Sequence, residues 1–249
     1  ADAIKGVDII IAGTPFAGDN NLLNAPFSSA DIKIEELFSN TTKDQLIIGG
    51  FVQKNALDIN EKYNCQIIDL LRRDDMALLN AIPTAEGAIK IAIEETDFTI
   101  NNSNIMIIGY GRVGSVLSKM LNGMGAKIYV VDKKNDSLYK AVSNGFDYVL
   151  LRDMNFYLNK MNIIFNTVPN TVLDKSNCHL IHKDCLVVDL SSPPFGVDYN
   201  SSKDCEFKTL WARSLPGSTA PKKVGEYIKS IVYNVIEERE ENDGKAREY

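Results

Sequence analysis

The chain has 249 residues, 45% hydrophobic and 24% charged, with a formal net charge of −6. This is the balance of a globular protein of one or two domains, and it excludes a broad basic face for nucleic acid, though not a local basic pocket. Four cysteines without C-x-x-C spacing and two histidines speak against a metal site and for reduced, cytosolic thiols. No apolar run approaches the roughly 20 residues of a membrane span, and no secretory signal is visible.

In the first half, Val7–Ala12 (VDIIIA), Gln45–Ile48 and Cys65–Leu70 are short apolar runs suited to parallel strands buried on both faces. Ile32–Phe38 and Val52–Tyr63 between them read as helices. The chain starts Ala-Asp-Ala and enters an apolar run almost at once, so the first domain is expected to lack its opening elements. Pro83 interrupts the helical pattern of the next stretch and fits a helix's first turn. Ala85, Ala88, Ile89, Ala92 and Ile93 then repeat at helical spacing, as in a helix bridging two domains.

Strand–helix alternation is clearer in the second half. Strand Ile105–Ile108, helix Val113–Leu121 and strand Lys127–Asp132 come first, followed by strands at Asp147–Leu150, Asn162–Asn166, Cys185–Leu190 and Phe207–Trp211. A final helix is expected over Pro221–Glu237, with Val224, Ile228, Ile231, Val232 and Val235 facing inward and a frayed tail behind it. The fold class is therefore α/β, with two doubly wound parallel-sheet domains, the second a Rossmann dinucleotide-binding domain. The expected division is a substrate or partner domain at 1–98, the dinucleotide domain at 99–220, a helix at 221–240 near the junction, and a tail at 241–249.

Gly109, Gly111 and Gly114 form G-x-G-x-x-G, which alone also fits a structural turn. Here it lies between an apolar strand and an apolar-periodic helix, and the next strand ends in Asp132, 18 residues beyond Gly114. Gly109 suits the tight turn, Gly111 close approach of the pyrophosphate, and Gly114 helix–strand packing. Tyr110, Arg112 and Val113 complete the loop and the helix start, whose amides and dipole favour an anion. Asp132 suits the two ribose hydroxyls of NAD. Lys133 and Lys134 suit the 2′-phosphate of NADP, or a solvated turn. FAD uses the same fingerprint, but these domain lengths favour a nicotinamide cofactor.

Ligands in open parallel sheets sit at the carboxyl ends of strands. Asn166, Thr167, Val168 and Pro169 are placed to line the ribose and nicotinamide, or to form a Pro-ended turn. Ser191 opens a polar loop that could meet the carboxamide. Leu215–Pro221 leads into the last helix, whose start suits an anion or plain capping. Arg73 and Asp74, in RRDD, are expected to face the interdomain cleft. There Arg73 could pair with a substrate carboxylate, or the cluster could simply start a helix. Glu86 is a further candidate, whereas His179 and His182 fall away from the expected cleft.

LLRRDDMALLNAIPTAEGAIKIAIEETDFTI, IMIIGYGRVGSVLSKML, NIIFNTVPNTVLD, LVVDLSSPPFGVDY and LPGSTAPKKVGEYI together resemble the dipicolinate synthase A-subunit family of endospore-forming bacteria. The resemblance implies oxidation of dihydrodipicolinate to dipicolinate with NADP, in the mother-cell cytoplasm, alongside a B subunit. It carries over Gly109, Gly111, Gly114, Asn166, Thr167 and Pro169 at the cofactor, Arg73, Asp74, Thr84 and Glu86 in the interdomain segment, and Lys222. Asp132 departs from the family pattern and keeps NAD open. Arg73 and Lys222 are expected to hold carboxylates, with Asp74 or Glu86 as base. Two readings compete with this one. The first is an NAD(P)-binding subunit that regulates or scaffolds without chemistry of its own. The second is a related 2-hydroxyacid or amino-acid dehydrogenase, which needs a well-placed catalytic histidine.

Overall fold

The structure is a computed structural model that describes residues 2–18 and 20–247. The chain divides into two units: residues up to Ala77 together with those from Gly225 onward, and Leu78–Val224. Residues 78–98, expected in the first domain, thus group with the second.

The first unit holds a parallel sheet of three strands, β1 (Ile9–Ile11), β2 (Leu46–Gly49) and β3 (Gln66–Asp69), in the order β1-β2-β3. Helices α1 (Ile34–Asn40) and α2 (Lys54–Asn60) connect them. Only β2 is buried along its whole length. β1 is an edge strand and Ile11 is 63% exposed, so the expectation of burial on both faces fails there. The core gathers Phe16, Phe38, Ile34 and Ile47, with Phe16 and Phe38 stacked at 6.2 Å between ring centroids.

Helix α3 runs without a break from Asp74 to Glu95, with Pro83 inside it rather than in its first turn. Proline removes one backbone donor. Beside it Thr84 Oγ1 donates to the carbonyl of Asn80 at 2.7 Å, and Met76, Ala81 and Ala85 are buried on either side. By length and composition α3 is apolar enough to cross a membrane. The sequence hides this because Glu86, Lys90 and Glu94 interrupt the run. Ala85, Ala88, Ile89 and Ala92 instead join the core of the second unit, the packing of a core helix.

The second unit carries β4 (Asn104–Ile108), β5 (Lys127–Asp132), β6 (Asp147–Leu150), β7 (Ile163–Asn166), β8 (Leu186–Asp189) and β9 (Lys208–Trp211). All pair in parallel in the order β6-β5-β4-β7-β8-β9. Order therefore reverses between β4 and β7, creating a crevice at the carboxyl ends of these strands. Helix α4 (Arg112–Gly123) connects β4 to β5, and α5 (Asn135–Ser143) connects β5 to β6. Two short helices, α6 (Tyr199–Lys203) and α7 (Leu215–Thr219), flank β9, and α8 (Pro221–Arg247) ends the fold. α8 continues ten residues past the expected Glu237, so the predicted fraying does not begin there; Glu248 and Tyr249 lie outside the described residues. Ile231, Val232 and Val235 are buried as expected, while Val224 and Ile228 are half-buried.

Candidate functional site: a glycine loop at the head of α4

The loop joins β4 to α4 at the strand-order reversal. Gly109 has φ +93°, the left-handed region that favours glycine. A Cβ there would also meet Thr167 Oγ1 at 2.4 Å and Val168 at 2.6 Å. A Cβ on Gly114 would come within 2.0 Å of the Gly109 carbonyl oxygen, so helix and loop touch backbone to backbone. Gly111 differs from both. It caps α4 with φ −86°, which any residue can adopt, and a Cβ on it would meet nothing within 4 Å. Neither backbone strain nor protein packing demands glycine there. The open space over it would admit a pyrophosphate close to the main chain at a helix N-terminus.

Around the loop lies a cavity of about 450 Å³ lined by Gly109, Gly111, Asp132, Lys133, Lys134 and Thr167, among others. A larger cavity of about 840 Å³, lined by Glu95, His182 and Lys208, lies at the amino ends of β7–β9. Parallel-sheet ligands bind at the opposite, carboxyl ends, which of these two favours the cavity over the glycines.

Asp132 ends β5 with both carboxylate oxygens engaged. Oδ2 accepts from the Tyr110 amide at 2.9 Å, and Oδ1 from the Lys134 amide at 2.8 Å. The loop is pinned from a second side by Thr167, whose hydroxyl donates to the carbonyls of Ile108 at 3.0 Å and Gly109 at 3.2 Å. Thr167 therefore shapes the loop, while Lys133 and Lys134 are exposed at the cavity.

Other expected cofactor contacts turn elsewhere. The Tyr110 ring is buried edge-on to Phe146, and burial raises its phenol pKa. Only its backbone belongs to the loop. Asn166 is fully buried and donates from Nδ2 to Asp189 Oδ1 at 2.8 Å and to the Val168 carbonyl. Ser191 donates through its hydroxyl to the same Asp189 oxygen at 2.7 Å. Asp189 also receives the amides of Ser191, Gly196 and Val197. A carboxyl group buried this deeply needs such hydrogen-bond partners. Asn166 and Ser191 thus hold the loop after β8 in place, and neither lines the cavity. Pro169 is exposed and absent from the cavity wall, whereas Val168 lines it. Arg112 and Val113 open α4.

The expected catalytic residues divide between the units. In the first, Arg73 holds two carboxylates edge-on. Its terminal nitrogens donate to Glu238 at 2.9 and 2.7 Å. Nε and one terminal nitrogen donate to Asp75 at 3.1 and 2.8 Å. The hydrogen bonds raise the Arg73 pKa and lower those of Asp75 and Glu238. Arg73 is therefore not the free cation expected, because the chain itself supplies its carboxylates. Asp74 is exposed in the first turn of α3. In the second unit, Glu86 is exposed on α3 and Lys222 is exposed in the first turn of α8. A Cβ on Gly87, the residue after Glu86, would run into Thr219 and Leu215 of α7. α3 and the segment leading to Lys222 therefore pack tightly together.

Residues 1–71 match the family described as the N-terminal domain of the dipicolinate synthase A subunit. Residues 83–187 match the NAD binding domain of D-isomer specific 2-hydroxyacid dehydrogenases. The dipicolinate synthase A subunit of Bacillus subtilis (strain 168) is 26% identical over 240 residues, covering 96% of this chain and 81% of that protein. Its crystal structure superposes with a TM-score of 0.91 at 25% identity, covering 97% of this chain and 82% of that one. The corresponding protein of Bacillus halodurans gives 0.88 at 28% identity, covering 94% and 81%. A transhydrogenase from Sinorhizobium meliloti, at 13% identity and a TM-score of 0.70, shares the fold, covering 93% and 74%. Fold, glycine loop and relatives converge, and the chain is an NAD-binding, oxidoreductase-type protein related over nearly its whole described length to the dipicolinate synthase A subunit.

Proposed function

We propose that this chain is the dinucleotide-binding subunit that oxidises dihydrodipicolinate to dipicolinate, working with a B subunit. The observation that carries the reading is the relationship, over 96% of the chain, to the dipicolinate synthase A subunit; it runs through both the N-terminal domain and the dinucleotide domain. The open space over Gly111 fits the cofactor's pyrophosphate. NADP is the favoured form. The two amides on Asp132 offset part of its negative charge, and Lys133 and Lys134 stand at the same cavity to meet a 2′-phosphate.

NADP, when bound, would supply the hydride acceptor, and the substrate would lose a proton as its ring becomes aromatic. Glu86 takes that proton, and Lys222 holds one of the two ring carboxylates. Arg73 is assigned to the internal pairing with Glu238 and Asp75.

The reading is tested by following NADPH formation from dihydrodipicolinate with this chain, with the B subunit, and with both. Turnover by the mixture that disappears with Glu86→Gln here, and persists with the equivalent substitutions in the B subunit, supports it. Turnover that survives every substitution in this chain's loop and at Glu86 would make it a scaffold for chemistry done elsewhere.

A further inference from the structure

The proposed substrate carries two carboxylates, and Arg73 is already engaged on both edges. A second arginine stands in the dinucleotide unit. Arg213 lies just beyond the end of β9 and is exposed. Its guanidinium carbon is 4.7 Å from the centroid of the Phe195 ring, in the loop that follows β8. Among the described residues no hydrogen bond or ion pair engages it, so its planar N–H edges remain available to a ligand.

The pair sits at the carboxyl ends of two neighbouring strands, the end of a parallel sheet where ligands bind. Its main chain is unusual. Phe195 has φ +69° and Ser214 has φ +55°, left-handed conformations that are rare for residues other than glycine and rarest for bulky ones. Asp189 secures this geometry by taking the amides of Gly196 and Val197, next to Phe195. The Gly196 carbonyl in turn accepts from the Val172 amide at 2.8 Å, and Val172 lines the cofactor cavity. On the other side, Leu215, two residues after Arg213, packs on Gly87 beside Glu86. A main-chain hydrogen bond thus links the pair to the cofactor cavity, and the packing of the Leu215 side chain on Gly87 links it to the helix that carries the proposed base.

We propose that Arg213 grips a carboxylate of a flat six-membered ring dicarboxylate, with the Phe195 ring fixing the guanidinium plane. Rigid presentation of an arginine fork suits bidentate capture of a carboxylate. A stacked arginine is otherwise a solvated surface group, and the test separates the two. This site deepens the proposed function and rests on it for the identity of the ligand.

The experiment is calorimetric titration of the full chain, saturated with NADP, using pyridine-2,6-dicarboxylate and benzene-1,3-dicarboxylate. Arg213→Ala weakens both ring diacids at least about tenfold and leaves NADP affinity and melting temperature unchanged. Arg213→Lys, which keeps charge without the fork, recovers only part of the loss. Equal dissociation constants for the wild type and Arg213→Ala overturn the assignment, as does failure of the wild type to bind either diacid. The oxidation assay with the B subunit is scored separately. Loss of diacid binding in Arg213→Ala without dihydrodipicolinate turnover by the wild-type mixture would uphold the site and reject the reaction.

Discussion

The carboxylate of Asp132 accepts the main-chain N–H of Tyr110 at 2.9 Å, so the end of β5 directly fixes the glycine loop after β4. A residue expected to meet the ribose thus also shapes the loop. Replacing it with asparagine keeps an acceptor but removes the charge that opposes a 2′-phosphate. Asp132→Asn should raise affinity for NADP relative to NAD, and Lys133→Ala with Lys134→Ala should lower it, each about threefold to tenfold. Competitive fluorescence titration of both coenzymes reads the ratio, and an unmoved ratio in both variants removes these residues from cofactor choice.

Gly111 and Gly114 should respond oppositely to one added methyl group. Gly114→Ala forces a Cβ onto the Gly109 carbonyl and should cost about 3 kcal/mol or more, or prevent folding. Gly111→Ala points its Cβ into open space and should fold normally while losing dinucleotide affinity by at least about tenfold. Thermal melting paired with coenzyme titration separates them. Normal coenzyme binding by Gly111→Ala would mean that the open space serves no pyrophosphate.

Asp189 carries five hydrogen bonds at 1% exposure. Asp189→Ala leaves the Gly196 and Val197 amides and the Asn166 amide without their acceptor. A loss of about 3 kcal/mol follows, lowering the melting temperature by roughly 6–12 °C. A change under about 2 °C would show that water replaces the carboxylate at little cost.

Arg73 lowers the pKa values of Asp75 and Glu238. In moderate acid the folded protein therefore binds fewer protons than the unfolded chain. The stabilisation is complete above the ordinary carboxylate range and is lost as pH falls through the lowered folded values. Because the Glu238 side chain is 55% exposed, solvent screening holds the pairing to about 1 kcal/mol. Arg73→Ala should lose that amount near neutrality and show a flatter decline in stability between about pH 5 and 2. Parallel urea melts at several pH values measure this, and curves of equal slope would deny the pairing any role.

Much of the second unit was legible in the sequence because its strands are continuous apolar runs bounded by turns. Lys127–Asp132 and Asp147–Leu150 match the observed strands residue for residue. Local spacing does not announce helix α5, whose short segment NDSLYKAVS directly follows the charged turn at Lys133 and Lys134. Strand ends located Asn166 and Ser191, but not the direction of their side chains. The available signal was Asp189 itself. An aspartate closing the apolar run LVVD, just before a serine- and proline-rich turn, needs nearby hydrogen-bond donors once buried. The pairing of Arg73 with Glu238, 165 residues away, is made by the fold and invisible to local spacing. Arg213 is invisible to local spacing for the same reason, since its contact with Phe195 depends on two loops meeting across neighbouring strands.

The most direct measurement of the central claim is calorimetric titration of the wild-type chain and Gly111→Ala with NADP, with the B subunit present. Saturable binding by the wild type and at least about tenfold weaker binding by the variant, at equal melting temperature, is the expected result. No binding by the wild type, or indistinguishable binding by the two, would contradict it.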